Sequence, residues 1–347
     1  MKTNKEILPK SAWITVNRSC NLRCKWCYAQ GTNYDKESEM SLDFAKEIIL
    51  LIKSLDIKNV VIIGGEPTLW PHLIEFNKFC SSLGIKTNLV TNAIKFSNDL
   101  FWESYKKNSN TKVGISLKAY DLSSLKKACG VSNINSVKLG IKRATELFGK
   151  CGVSFVYNTF IKDNLIDTTK FAMENGAKYV SISPCIPAFN GDIIENKYSI
   201  EIDEFISDFI RDYKILSDIT KNKLYLSMKI PFCLWPKDFI EEMLSKNQLS
   251  SLCQVRTKSG IIFDTGGELI MCNNLYSYPI GVYKKDFTDK NSVIALLNSP
   301  EVISYYNKIN SYPSEKCIGC SKYEICAGGC PLIWSIYDPS ILKGWDC

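Results

Sequence analysis

Cys20-Asn21-Leu22-Arg23-Cys24-Lys25-Trp26-Cys27 places three thiols within eight residues. Three thiolates at this spacing can hold three irons of a cubane cluster from a single loop. With no fourth cysteine nearby, the fourth iron stays open to a substrate or cofactor. Soft thiolates suit iron–sulfur clusters or zinc. A structural zinc closes its shell with four ligands, and the next candidate donor is the chain's one histidine, His72, far downstream. Zinc is therefore the plainer alternative and the weaker one on ligand count.

Around this loop the first two-thirds of the chain alternates strand-like and helix-like segments. Ala12–Val16, Asn59–Ile63, Lys86–Val90, Lys112–Leu117, Val153–Phe160 and Tyr179–Ser183 are short apolar or alternating runs bounded by turn residues, and read as strands. Between them Leu42, Ala45, Ile48, Ile49, Ile52 and Leu55 form one helical stripe behind an N-cap at Ser41, and Ile202, Phe205, Ile206, Phe209, Tyr213 and Leu216 form another. Such stripes are core. Six strand–helix units in series predict an α/β fold with a parallel sheet and helices outside. The cysteine loop then follows the first strand, at the end where parallel α/β barrels carry their reactive groups.

The thiol run, with Trp26 just before its third cysteine, resembles the cluster loop of the radical SAM enzymes. That resemblance implies a partial (β/α)6 TIM-type barrel over residues 1–217. It further implies a 4Fe-4S cluster on Cys20, Cys24 and Cys27 whose open iron chelates S-adenosyl-L-methionine, and a 5′-deoxyadenosyl radical that abstracts a substrate hydrogen. Gly64-Gly65-Glu66-Pro67, after the second strand, would on its own be a plain turn; glycines permit close backbone approach and a carboxylate can accept from an ammonium group. In this family it looks like the motif for the methionyl amine. Ser116 and Lys118 end the fourth strand, where the family contacts the cofactor's ribose and carboxylate, and Asn92 and Asn158 sit similarly after the third and fifth. Ordinary strand-end polarity explains these four equally well. Cys185 would end the sixth strand and face the radical, a candidate hydrogen-atom donor, with an inert buried thiol as the alternative. Cys80, Cys129 and Cys151 lie outside any motif and read as packing residues.

From about Ser217 the alternation stops, and residues 228–347 hold little helical pattern but eight of the 15 cysteines. Cys253, Cys272, Cys317, Cys320, Cys326, Cys330 and Cys347, with Gly267 between the first two, resemble the SPASM extension of certain radical SAM enzymes, here residues 218–347. Zinc ribbons are the alternative, since Cys317-x2-Cys320 alone would suit one. The resemblance implies two auxiliary 4Fe-4S clusters, three in all: an outer one on Cys317, Cys320, Cys326 and Cys347, and an inner one on Cys253, Cys272 and Cys330. The inner set is one ligand short, either open to a substrate thiolate or closed by another residue, with Cys233 the nearest spare. Asn273 stands where sulfatase-maturing relatives carry an aspartate base, and an amide cannot take up a proton in that role.

Composition bounds the rest. The chain has 347 residues, 45% hydrophobic and 23% charged, the profile of an ordinary soluble protein. Its longest aliphatic stretch, Ile48 to Ile52, is too short to span a membrane, and Met1–Ser11 has no apolar signal core. Forty-three basic against 36 acidic residues give +7 without a Lys/Arg block or nucleic-acid motif. Abundant cysteine without a signal peptide points to a reducing cytoplasm and metal ligation. The expectation is a cytoplasmic radical SAM/SPASM oxidoreductase, a maturase of ribosomally made peptides, served by a flavodoxin- or ferredoxin-type electron donor. Its product would be a thioether, a carbon–carbon cross-link or an epimer. With the loop beginning at residue 20, a leader sequence would be read by a separate protein or by the barrel. Alternatives are a small-molecule oxidase or dehydrogenase acting on a sugar alcohol or tetrapyrrole precursor, a sulfatase-maturase-like enzyme, and a non-catalytic iron–sulfur carrier.

Overall fold

The computed structural model describes residues 6–30, 35–107, 111–131, 133–149, 151–250 and 253–346. In chain order the elements are β1 (Ser11–Thr15), α1 (Leu42–Ser54), β2 (Asn59–Ile63), α2 (Leu73–Ser82), β3 (Lys86–Thr91), α3 (Asp99–Tyr105), β4 (Thr111–Leu117), α4 (Leu122–Cys129), α5 (Ile134–Phe148), β5 (Gly152–Tyr157), α6 (Leu165–Glu174) and β6 (Val180–Pro184). There follow β7 (Ala188–Asn190), β8 (Ile193–Glu195), α7 (Ile202–Thr220), β9 (Leu224–Ser227), α8 (Lys237–Ser245), β10 (Leu249–Ser250) and α9 (Gln254–Thr257). The last are β11 (Gly260–Phe263), β12 (Glu268–Ile270), β13 (Gly281–Val282), α10 (Lys290–Leu297), α11 (Pro300–Ile309) and α12 (Tyr323–Cys326).

The sheet order is β10-β9-β6-β5-β4-β3-β2-β1-β11-β12-β13, with β1 to β6 parallel and in sequence order, the parallel sheet expected from the six-unit alternation and the partial barrel implied by the resemblance. The six strands lie where the apolar runs placed them, except that β5 stops at Tyr157 rather than Phe160. Asn158 turns the chain there: its Oδ1 accepts from Phe160 N–H at 2.8 Å and its Nδ2 donates to the Val156 carbonyl at 2.9 Å. Helix α1 begins as expected, with Phe44 N–H donating to Ser41 Oγ at 3.2 Å. Its Ile48, Ile49 and Ile52 are fully buried.

Residues after 217 are more regular than the sequence reading expected. That position falls inside α7, and β9 then pairs parallel with β6 while β11 pairs parallel with β1. The low helical content expected beyond residue 228 is corrected by α8, α10 and α11. Helix α10 starts on a capping box of Asp289 and Ser292, and α11 on a Ser299 cap with Pro300 in its first turn. These helices are short, and in α10 and α11 local caps rather than a long apolar stripe mark the start. Among the described residues no helix is long and apolar enough to cross a membrane.

Candidate functional site

The thiol loop is braced from three sides. Val16 N–H donates to the Ile63 carbonyl at 2.9 Å, Gly65 N–H to Asn17 O at 2.8 Å and Glu66 N–H to Ser19 O at 2.8 Å, so the β1–β2 pairing runs on as a seam beneath the loop. On the other side Arg18 N–H donates to Ser38 O and Met40 N–H to Val16 O. The C-terminal carbonyls of α4 supply the third brace, Cys129 O accepting from Arg23 N–H at 2.9 Å and Ala128 O from Lys25 N–H at 3.1 Å. A Cβ on Gly65 would come within 3.0 Å of the Arg18 and Ser19 carbonyl oxygens, and one on Gly64 would strike Asn17. The paired glycines are therefore required by the seam itself.

Cys24 is buried, and Cys20 and Cys27 are half-buried. Cys24 Sγ lies 3.4 Å from Cys129 Sγ. A hydrogen bond from the Cys129 thiol, opposed by burial and helped by the Lys118 ammonium, lowers Cys24 to about 7. Burial pushes Cys20 up to about 12 and also raises Cys27, against a lowering by Lys118 and Arg18. A cation that lowers two of the three thiols, Cys24 and Cys27, fits a donor set meant to bind as thiolates. Among the described residues no three Cys, His, Asp or Glu side chains converge on a point that a single ion could occupy, so a mononuclear centre has no ready-made triad.

Glu66 is buried and anchors the floor. Its Oε1 accepts from Thr68 N–H, Thr68 Oγ1 and Thr91 Oγ1, and its Oε2 accepts from Asn92 N–H at 2.8 Å, leaving acceptor capacity on Oε2. Asn92 Nδ2 in turn donates to Asn21 Oδ1 at 2.7 Å, tying the end of β3 into the thiol loop. Pro67 starts the short turn that follows. Lys118 Nζ donates to Ser116 Oγ at 2.6 Å. The Asn158 amide is wholly buried and spent on its own turn.

A cavity of about 210 Å³ opens between the thiol loop and the segment after β6, lined among others by Lys25, Trp26, Cys27, Cys185, Phe189 and Tyr198. Trp26 and Tyr198 line it, and Phe160 packs behind them, its ring centroid 5.7 and 5.6 Å from theirs. The β7–β8 hairpin forms the opposite side, and its Phe189 meets Tyr278 at 5.3 Å. Cys185 thus shares a cavity with a residue of the thiol loop. Burial raises its thiol to about 11, which keeps it protonated and able to give up a hydrogen atom.

The cysteines after residue 217 fall into two groups. Burial raises Cys272 and Cys330; each feels Cys253, and the Lys229 ammonium partly offsets both. Cys317, Cys320 and Cys326 line a second, narrow and largely apolar cavity together with Cys233. Cys233 thus stands with the outer group, whereas the sequence reading held it as the spare for the inner one. Cys347 lies outside the described residues. A buried ion pair joins the two halves: Arg18, flanking the thiol loop, pairs with Asp264 in the β11–β12 turn and stacks 3.9 Å above the Tyr276 ring. Burial disfavours the guanidinium charge, but Asp264 outweighs it and holds Arg18 above its ordinary value.

The family model of the radical SAM superfamily matches residues 14–172. These residues are a radical SAM domain. Radical SAM domains define a class of S-adenosylmethionine-dependent enzymes, and the match takes in the thiol loop, Glu66 and Lys118. The chain is 28% identical over 206 residues to a probable GTP 3',8-cyclase of Pyrococcus horikoshii, covering 59% of this chain and 62% of that protein. It is 30% identical over 139 residues to one of Methanococcus maripaludis, covering 40% and 46%. The chain therefore spans less than two-thirds of these relatives. Among solved structures it resembles Streptococcus suis SuiB bound to precursor peptide SuiA, with TM-score 0.66 and 19% identity over 98% of this chain and 76% of that one. It also resembles anSMEcpe with bound AdoMet, with TM-score 0.70 and 16% identity over 93% and 89%. At these identities the likeness is one of fold, and it extends through the region after the radical SAM domain.

Sequence reasoning missed Cys129, Arg18, Asp264 and the β7–β8 hairpin. Arg18 and Asp264 lie 246 positions apart with no motif linking them. Cys129 carried a signal that went unused, a cysteine closing a helix directly behind a strand-end Ser116/Lys118 pair.

Proposed function

We propose that this chain is a radical SAM enzyme that modifies a peptide or protein substrate, a maturase of ribosomally made peptides with two auxiliary iron–sulfur clusters. The observation that carries the reading is the cavity shared by Cys27 and Cys185 and walled by an open β-hairpin. It is wide enough for a side chain and bounded by strand edges to which an extended backbone can add. Cys20, Cys24 and Cys27 would hold a cubane with one vacant iron, and such a cluster, once reduced by one electron from the donor, would supply the reductive cleavage of S-adenosyl-L-methionine to a 5′-deoxyadenosyl radical and methionine.

The chain's own residues do the rest. Cys20, Cys24 and Cys27 hold the cluster while Lys118 balances their charge. Gly64, Gly65, Glu66 and Pro67 set the turn facing the methionyl end, and Asn92, Ser116 and Lys118 present polar groups at the strand ends, whereas Asn158, buried and bonded within its own turn, shapes the end of β5 rather than meeting the cofactor. Cys185 returns a hydrogen atom where the product is an epimer. Cys253, Cys272 and Cys330 hold the inner auxiliary cluster, and Cys317, Cys320 and Cys326 belong to the outer one. Closed auxiliary clusters suit net oxidations, because a substrate radical must then lose an electron. A flavodoxin- or ferredoxin-type donor supplies the reducing electron. A cytoplasmic location belongs to the same proposal, since a reducing compartment suits a cysteine-rich chain whose thiols hold iron–sulfur clusters.

Support for a peptide comes from the likeness in fold to two proteins solved with peptides, SuiB with SuiA and anSMEcpe with Kp18Cys. A small-molecule reading is favoured by the GTP 3',8-cyclase relatives, and Lys25 and Lys197 at the cavity rim could meet phosphates. The test is anaerobic turnover with peptides encoded beside the gene, and separately with GTP, read by mass spectrometry. A peptide mass change coupled to 5′-deoxyadenosine supports the proposal. Consumption of GTP with unmodified peptide overturns it.

A further inference from the structure

Arg256 carries two donors that nothing in the fold accepts. It lies in α9, the helical turn that Cys253 begins. The residue is half-buried, but its Nε and Nη1 are shielded from solvent and have no hydrogen-bond partner among the described residues. Nη2 donates to the Gly329 carbonyl at 3.4 Å, in the strip between Cys326 and Cys330. The turn that bears this side chain is itself fixed. Gln254 Nε2 donates to the Met271 carbonyl at 3.2 Å, one residue before Cys272, and Asn310 Nδ2 donates to Val255 O at 3.3 Å. The charge is felt on the outer side. Burial raises Cys317 and Tyr323, and the Arg256 guanidinium opposes the rise in both. Tyr323 lines the second cavity together with Cys317, Cys320 and Cys326. Segments 253–256, 317–323 and 326–330 therefore meet around one guanidinium. Shielded polar groups are almost always paired, so two orphaned N–H groups on a cation point to an anionic acceptor that binds there.

We propose that Arg256 donates its Nε–H and Nη1–H groups to sulfurs of the outer auxiliary cluster and thereby sets that cluster's reduction potential. The inference rests on the reading that this region holds iron–sulfur clusters, and it holds for whichever thiols complete the outer shell. A thiolate-ligated cubane is an anion whose negative charge grows when an electron arrives. A fixed cation and N–H···S bonds stabilise the reduced form and so raise the potential. The planar guanidinium can give two N–H groups to sulfurs on one cluster face, which the point charge of a lysine cannot match. Arg256 acts through the cluster and touches no substrate.

The experiment compares anaerobically reconstituted full-length wild type, Arg256→Met and Arg256→Lys by iron content and by potentiometric titration read with electron paramagnetic resonance. Cys320→Ala, lacking the outer cluster, identifies its signal by difference. Wild type and Arg256→Met should both hold about twelve irons. In Arg256→Met the reduced-to-oxidised ratio of the outer cluster at a fixed potential should fall about tenfold, a midpoint lower by about 59 mV. Arg256→Lys, which keeps the charge without the fork, should fall by less. The thiol-loop cluster, recognised by its response to added S-adenosyl-L-methionine, should keep its midpoint. An unmoved outer midpoint in Arg256→Met overturns the assignment, as does an equal shift at the thiol-loop cluster. Should Arg256→Met assemble only about eight irons, Arg256→Lys carries the test. A full iron complement with a lowered outer midpoint then supports the proposal, and either missing iron or a wild-type midpoint overturns it. About four irons in wild type would instead overturn the auxiliary-cluster reading, and the inference with it.

Discussion

Replacing Gly65 with alanine tests whether the seam under the thiol loop is what holds the radical chemistry in place. The new Cβ would lie within 3.0 Å of two backbone carbonyl oxygens, Arg18 O and Ser19 O, a separation real Cβ atoms essentially never show. Neither oxygen belongs to a flexible side chain, so the seam itself must widen. Overpacking of this kind costs about 1–3 kcal/mol. The Gly65–Asn17 and Glu66–Ser19 hydrogen bonds, both 2.8 Å, cross the same gap, and weakening them adds about 1 kcal/mol. A total of about 2–4 kcal/mol corresponds to roughly a 30- to 1,000-fold loss in the population of the ordered loop. It falls short of the 5–15 kcal/mol or so that a domain holds in reserve. Gly65→Ala should therefore fold, with a lowered melting temperature, and should lose cluster from the thiol loop. Its 5′-deoxyadenosine formation under reduction should fall at least tenfold. Gly114 in β4, where an added Cβ meets nothing within 4 Å, provides the contrast, and Gly114→Ala should keep wild-type stability. Wild-type cofactor cleavage and melting in Gly65→Ala would show that the glycine pair is not needed for the seam.

Other perturbations separate the remaining roles. Cys24→Ala should abolish 5′-deoxyadenosine, whereas Cys320→Ala should spare cofactor cleavage and lose product; loss of both in the second variant refutes the division of labour. Asp264→Ala strips the counter-charge from a guanidinium only 3% exposed, and should destabilise by about 3–5 kcal/mol, while Arg18→Met with Asp264→Leu should recover much of that. A thermal shift below about 2 °C in the single variant would contradict the clamp. Solvent deuterium at a peptide α-carbon, lost in Cys185→Ala, identifies Cys185 as hydrogen donor, and its absence in the wild-type product retires that role. Burial raises Cys80 and Cys151 from 9.0 to about 12, so each binds its proton more tightly folded than unfolded. Their contribution is intact below pH 9 and is lost as pH climbs toward 12. Urea titrations of the metal-free protein should show this alkaline decline, shallower in the Cys80→Ala, Cys151→Ala pair.

What could be read from sequence was local. Strands β1 to β6 announce themselves because each buries one apolar row under helices: Val113, Ile115 and Leu117 in β4, Val153, Phe155 and Tyr157 in β5. The thiol loop is legible because its ligands are contiguous. The helices after residue 217 were not, since α8, α10 and α11 are too short to print a long stripe, and α10 and α11 start on the caps Asp289 and Ser299. The Arg18–Asp264 pair is fixed only by the pairing of β11 with β1, which no local pattern in either segment encodes. Cys233 was visible as a thiol, but its neighbours are set by how the 229–233 segment lies against 326–330.

The alternate rows of the same strands make the functional argument. Parallel sheets are ordinarily apolar on both faces, and barrel interiors are packed. Here the second row of β4, β5 and β6 reads Gly114 and Ser116, Ser154 and Val156, Ser181 and Ser183, all less buried than the rows between them. Small, largely polar residues leave that face open, and β6 leads directly to Cys185. The strands added after residue 217 then lie against the two strands that matter most, β11 beside β1, which carries the thiol loop, and β9 beside β6. The region bearing the other two cysteine groups is thus hydrogen-bonded into both flanks of the open face. A change in its packing, at Asp264 for instance, is felt at the thiol loop through one ion pair and a four-residue strand register. That continuity ties the strands flanking the open face to the chain segments that lead into the later cysteines. Loosening β11 should therefore lower cofactor cleavage as well as product formation, because β11 pairs with the strand that carries the thiol loop.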